Sequence, residues 1–81
     1  MSDNTQVDLV EFHYQQILKS EELGHKKSKV STTQGLMVAL ALADRRYADP
    51  NWREEPVGNL VQRLDISQLE ALKRFRAERG L

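Results

Sequence analysis

The sequence predicts an all-α fold, a bundle of four to five short helices around one buried central helix. Three observations carry that prediction. Apolar residues recur at three- and four-residue spacing through most of the chain. Capping pairs stand before the apolar runs at Ser31 and Asp65. The run Leu36 to Ala43 is apolar on every side and rich in strong helix formers, which suits a helix packed between others.

Val7, Val10, Tyr14, Ile17 and Leu18 form the stripe of a first helix over about Thr5 to Leu23, with Asp8, Glu11, Gln15, Lys19 and Glu22 opposite. Asp3 or Asn4 is placed to cap it and Gly24 to end it, and residues 1–4 are expected to be disordered. Leu9 and Phe12 fall outside the stripe, so the apolar surface is wider than one neighbouring helix covers. Gly24 to Val30 reads as a basic connector. Ser31 with Gln34 then opens the second helix, which carries Leu40 into the core, where truncation to Ala is expected to cost about 2–5 kcal/mol.

Asp44, Arg45 and Arg46 return the chain to water. Asp49 precedes Pro50 as a capping acid before a proline at the first helical position, and Pro56 interrupts the turn that follows. The result is an elbow in which Trp52 is expected to lie partly buried against Tyr47 and the central helix. Val57, Leu60, Val61 and Leu64 form a short stripe. Asp65 with Gln68 makes a second capping pair, Leu64 can staple onto Leu69, and a last helix runs from about Ile66 to Arg79 before Gly80 ends it.

Length and composition bound the rest. A chain of 81 residues forms one domain, 1–81, that buries only ~60–65% of its unfolded surface. Without cysteine it has no disulfide, thiolate nucleophile or thiolate metal site, and a reducing, cytoplasmic setting is expected. Its N-terminus lacks the pattern of a secretory signal, and its longest apolar run falls far short of the about twenty residues of a membrane span. Twelve bases balance twelve acids, yet residues 1–23 carry net −4 and residues 24–81 net +4. An acidic first helix can be satisfied by the basic remainder within one chain or between two copies.

No catalytic, cofactor-binding or metal-ligating constellation is visible. His13 and His25 lie far apart, and Glu11 is two residues from His13 and points elsewhere on a helix. Glu54 and Glu55 are adjacent and so diverge. The four glycines are isolated and make no phosphate loop, and Ser28, Ser31, Thr32 and Thr33 are explained by capping. Enzymatic activity, a cofactor and a small-molecule substrate are therefore not expected. Two basic clusters remain: His25, Lys26, Lys27 and Lys29 in the connector, and Lys73, Arg74, Arg76 and Arg79 in the last helix. Either can contact phosphate or stay a solvated, dipole-complementing face.

Leu60-Val61-Gln62-Arg63-Leu64-Asp65-Ile66-Ser67-Gln68, running on to Phe75, resembles the helix-turn-helix of many bacterial repressors. That resemblance packs Leu60, Leu64, Ile66, Ala71 and Phe75 inside and turns Ser67, Gln68 and Lys73 toward DNA. Asp65 stands where a glycine is usual, and Leu69 and Leu72 occupy positions the pattern would point at DNA. The segment from Asp44 to Pro56 (DRRYADPNWREEP) resembles part of the N-terminal region of polyhydroxyalkanoate synthases. No activity carries over, because the family's catalytic cysteine has no counterpart here.

Excess apolar surface without a chemical site points to a small α-helical interaction protein, a homodimer that regulates or inhibits a larger complex by docking a helical face. Val7, Val10, Tyr14 and Ile17 are expected to supply the dimer contact, and Val10, Tyr14, Ile17 and Trp52 the partner-binding side chains. The alternative is a helix-turn-helix DNA-binding regulator that uses Lys26, Lys27, Lys29, Ser67, Gln68, Lys73 and Arg76. Burial of Leu69 and Leu72 discriminates the two.

Overall fold

Capping chemistry sets the helix boundaries in the computed structural model, which describes the backbone from Thr5 onward and side chains from Leu9 onward. Four α-helices follow one another: α1 (Thr5–Leu23), α2 (Thr32–Leu42), α3 (Val57–Gln62) and α4 (Ile66–Glu78). Two single 3₁₀ turns, Arg45–Tyr47 and Pro50–Trp52, form the elbow between α2 and α3. The described residues contain no strand, and the chain is all-α. The proposed caps Asp3 and Asn4, the side chain of Val7 and the order of residues 1–4 lie outside the described residues.

Gly24 stops α1 at φ 85°, donating its N–H to the Ser20 carbonyl at 2.9 Å. The Ser31 hydroxyl caps α2 by accepting the Gln34 N–H at 3.3 Å. Its capping box is only half made, because the Gln34 side chain accepts a hydrogen bond from Gln68 at 3.0 Å instead of turning back to Ser31. At α4 the box is complete: Asp65 accepts the Gln68 N–H at 2.8 Å while the Gln68 side chain accepts the Asp65 N–H at 3.0 Å. Gly80, at φ 73°, closes α4, with the Gly80 N–H on Ala77 and the Leu81 N–H on Arg76, one residue earlier than the expected end at Arg79.

The core lies where α2 meets its neighbours. Leu36, Met37, Val38, Ala39 and Ala41 are buried on α2, against Ile17 of α1, Leu60 of α3, and Ala71, Leu72 and Phe75 of α4. Leu40 departs from the expectation, since it is only half-buried and lines a surface groove. Eleven helical residues cannot point every side chain inward when only some directions hold a neighbour. Gly35 is required for another reason: a Cβ there would lie 2.8 Å from the Tyr47 carbonyl oxygen, so its absence lets the elbow close onto α2.

Within the elbow the Asp49 carboxylate makes no cap; it accepts the Thr32 hydroxyl at 2.8 Å and so ties the elbow to the start of α2. Trp52 is half-buried against the core as expected, but its ring lies under the Arg63 guanidinium at 4.9 Å. Tyr47 instead meets His25 edge-on at 6.1 Å.

Candidate interaction surface

Part of the charge asymmetry is met within the chain, where Glu11 and Glu21 of α1 pair with Arg74 and Arg79. Contacts between α1 and α4 advance in step, from Val10 near Leu69 through Glu11 and Arg74 to Glu21 and Arg79, so the two helices run parallel. Arg74 donates to Glu11 at 2.7 Å and lies 3.8 Å from the Tyr14 ring centre. Arg79 forks onto Glu21 at 2.6 and 2.9 Å while covering Phe75 at 4.4 Å. Tyr14 donates its hydroxyl to Glu78. Hydrogen bonds from Arg74, Arg79 and Tyr14 hold the carboxyls of Glu11, Glu21 and Glu78, respectively, below their ordinary value, and the Glu78 contact raises the Tyr14 hydroxyl.

This seam takes up part of the surface expected to form a dimer contact. Ile17 has no exposed surface, Tyr14 is half-buried against Phe75 and Arg74, and Val10 is half-buried. Tyr14 of the amphipathic stripe packs against α4 of the same chain. What stays open is its flank: Leu9 is 43% and Phe12 58% exposed, the two residues that the pattern left outside the stripe. Ile66, 75% exposed at the first position of α4, shares a groove with Leu9.

Leu9, Val10, Leu64, Ile66 and Leu69 line a groove of about 490 Å³, with Asp65, Ser67 and Glu70 as its polar part. The Asp65 carboxylate is held in its charged form, chiefly by the Gln68 backbone N–H and then by the Ser67 hydroxyl. Buried beside this region, His13 meets Phe12 edge-on at 5.4 Å, and its Nδ1 has no hydrogen-bond partner. Among the described residues no cluster of three His, Cys, Asp or Glu side chains can hold a metal, and no helix is long and apolar enough to cross a membrane. The groove offers apolar contact area with an acidic edge.

The residues singled out for DNA scatter. Gln68 is 5% exposed and committed at both ends of its amide. Ser67 donates to Asp65 at 2.7 Å, Lys73 lies 3.7 Å from Glu70, and Arg76 donates to the Leu40 and Ala41 carbonyls at the end of α2. Leu72 is buried and Leu69 is half-buried, packed against the core. Lys26, Lys27 and Lys29 are exposed, apart from the others on the connector. Of the side chains expected to bind a partner, Trp52 lies half-buried on the elbow and lines a different pocket from Val10.

Sequence reasoning placed Ile66 inside, as part of the helix-turn-helix core. The available signal was its position directly after the Asp65 cap, where a side chain leaves the helix before the chain has turned onto the body. No known protein family, curated protein or solved structure matches this chain.

Proposed function

We propose that the protein works by binding, as a small α-helical interaction protein that docks on a larger macromolecular complex and regulates or inhibits it. The observation that carries this reading is the pair Leu9 and Ile66, two large apolar side chains left open in the lining of a preformed groove, with exposed Phe12 on the same helix as Leu9. Apolar anchors in a concave setting with a polar edge supply the centre of a protein interface. The reading is non-enzymatic and keeps the cytoplasmic setting expected from composition.

The test compares the intact protein with a Leu9→Ser, Ile66→Ser variant. Both positions are exposed, so circular dichroism melts should agree to within about 0.5–1 kcal/mol. Quantitative affinity purification with mass spectrometry should then show a specific partner held by the wild type and lost by the variant. Retention of that partner would overturn the assignment. Sedimentation at high micromolar concentration tests self-association: a dimer abolished by the same substitutions would make a second copy the occupant. A mobility shift on DNA that weakens steeply with salt and requires Lys26, Lys27 and Lys29 would replace this reading with DNA binding.

A further inference from the structure

A second groove, of about 470 Å³, lies between α2, α3 and α4. Leu40, Val57, Val61 and Leu72 give it apolar walls together with Ala39 and Ala43, and Arg45 and Arg76 are its charged members. Among the described residues neither arginine forms an ion pair with a carboxylate. Arg45 Nη1 donates to the carbonyls of Arg53 at 2.9 Å and Glu55 at 2.7 Å, and Arg76 Nη1 to those of Leu40 at 3.2 Å and Ala41 at 3.3 Å. Neutral carbonyls orient the two cations without neutralising them. The C-terminus of α2 offers Arg76 only roughly half a unit of negative charge. The Nε and Nη2 donors of both side chains make no hydrogen bond to the described residues, which leaves an edge of each guanidinium free for a carboxylate.

We infer that this groove takes an acidic amphipathic segment of a protein partner, its apolar side chains on Leu40, Val57 and Val61 and two of its carboxylates on Arg45 and Arg76. Two observations favour a segment with two acids over other anions. The guanidiniums are anchored separately, one on the elbow and one on the end of α2, and each keeps free donors of its own, which matches two carboxylates on one segment. The wall between them is apolar, and Val57 is 53% exposed, which a nucleic-acid backbone would leave unused. Because the arginines are already held in place, little side-chain freedom is lost on binding. Ala43 adds a third feature: it lines the groove at φ 53°, a left-handed conformation that glycine would adopt without strain. The inference uses residues different from those of the Leu9 and Ile66 surface and stands independently of it.

The probe is a fluorescein-labelled helical peptide of about 12 residues, three turns, with two leucines one turn apart framed by glutamates. Its twin carries lysines in place of the glutamates. Anisotropy with the full chain at about 0.15 M salt should show the glutamate peptide binding at least about tenfold tighter than its twin. Arg76→Gln and Arg45→Gln should each remove much of that difference. Arg45 also holds the elbow, so Val57→Glu serves as the second variant: at an exposed position it should keep the melting temperature and repel the acidic peptide. The Leu9→Ser, Ile66→Ser protein should bind the peptide as the wild type does. Equal affinity for the two peptides, or acidic-peptide binding untouched by Val57→Glu, overturns the inference. So does dodecanoate binding with the same arginine dependence, which would make the occupant a fatty-acid-like amphiphile. Self-association abolished by Val57→Glu would assign the groove to a second copy and overturn it as well.

Discussion

Arginines hold both the α1–α4 seam and the elbow between α2 and α3, but they meet different acceptors. At the seam, Arg74 and Arg79 face the carboxylates of Glu11, Glu78 and Glu21. At the elbow, Arg45 and Arg53 face the carbonyls of Ala48, Arg46, Arg53 and Glu55. Carboxylates titrate and cancel the cation's charge, whereas carbonyls do neither. The seam is thus a closed contact whose carboxylates titrate, whereas the Arg45 and Arg53 clasp rests on carbonyls that do not and leaves positive charge at the surface. Where charge is cancelled, the chain holds itself together; where it is left over, the chain can hold something else.

The largest effect should come from emptying the seam's interior. Phe75 is 2% exposed, packed near Tyr14 and beneath Arg79. Phe75→Ala should cost about 3–5 kcal/mol, a large share of the stability of so small a domain, and urea melts would measure it. A loss under about 1 kcal/mol would mean that the ion pairs, not the ring, join α1 to α4. The corresponding break at the elbow is Gly35→Ala, which drives a methyl group against the Tyr47 carbonyl and should cost about 1–3 kcal/mol. Backbone, unlike a flexible side chain, cannot swing aside.

These two residues also show what could be read in advance. Phe75 was legible as core because helical spacing joins it to Ala71 and Leu72. The caps at Ser31, Asp65 and Gly80 and the extents of α1 and α4 were legible for a similar reason, since local hydrogen bonding decides them. Gly35 was not, because the need for it comes from Tyr47 arriving twelve residues later. The surface divided in the same way. Periodicity showed that Leu9 and Phe12 were surplus, but only tertiary packing decides that α4 covers the Tyr14 side and leaves the Phe12 flank open. The pairing of Arg45 with Arg76 around one groove joins residues 31 positions apart and has no local signal. Leu40 was misplaced for the same reason, and as a half-buried groove wall its truncation to Ala should cost about 1–2 kcal/mol in the same melts, below the range for a core leucine.

Acid should separate the two regions. Glu11, Glu21 and Glu78 are held below an ordinary value of 4.5 in the folded chain. Their contribution is therefore present above that value and is lost as pH falls through their lowered folded values. Asp44, at the entrance to the elbow, is held from 3.8 down to about 2, chiefly by the Arg46 side chain, whose Nε and Nη2 donate to it at 2.9 and 2.8 Å. Its contribution is present above 3.8 and is lost between 3.8 and about 2. In urea melts across pH, a Glu11→Gln, Glu21→Gln, Glu78→Gln variant should flatten the fall that begins below 4.5, and Asp44→Asn only the fall below 3.8. If Asp44→Asn flattened the upper limb instead, the division between seam and elbow would be wrong.

The smallest expected effect has the opposite sign. Ala43 ends α2 at φ 53° and ψ 43°, a conformation that brings an L side chain close to backbone oxygen and costs roughly 1–2 kcal/mol. The geometry is enforced because the Asp44 N–H must reach the Ala39 carbonyl at 2.9 Å to turn the chain into the elbow. Glycine would adopt it freely but would give the unfolded chain more freedom, which takes back about 0.4–1 kcal/mol. Ala43→Gly should therefore stabilise the protein by about 0.5 kcal/mol in urea melts. If the Ala43 methyl group contributes to the groove wall, its removal should make the same variant bind the acidic peptide more weakly despite its greater stability. A variant that is both more stable and unchanged in binding would show the methyl to be idle there. One that is less stable would show that its packing outweighs the backbone strain.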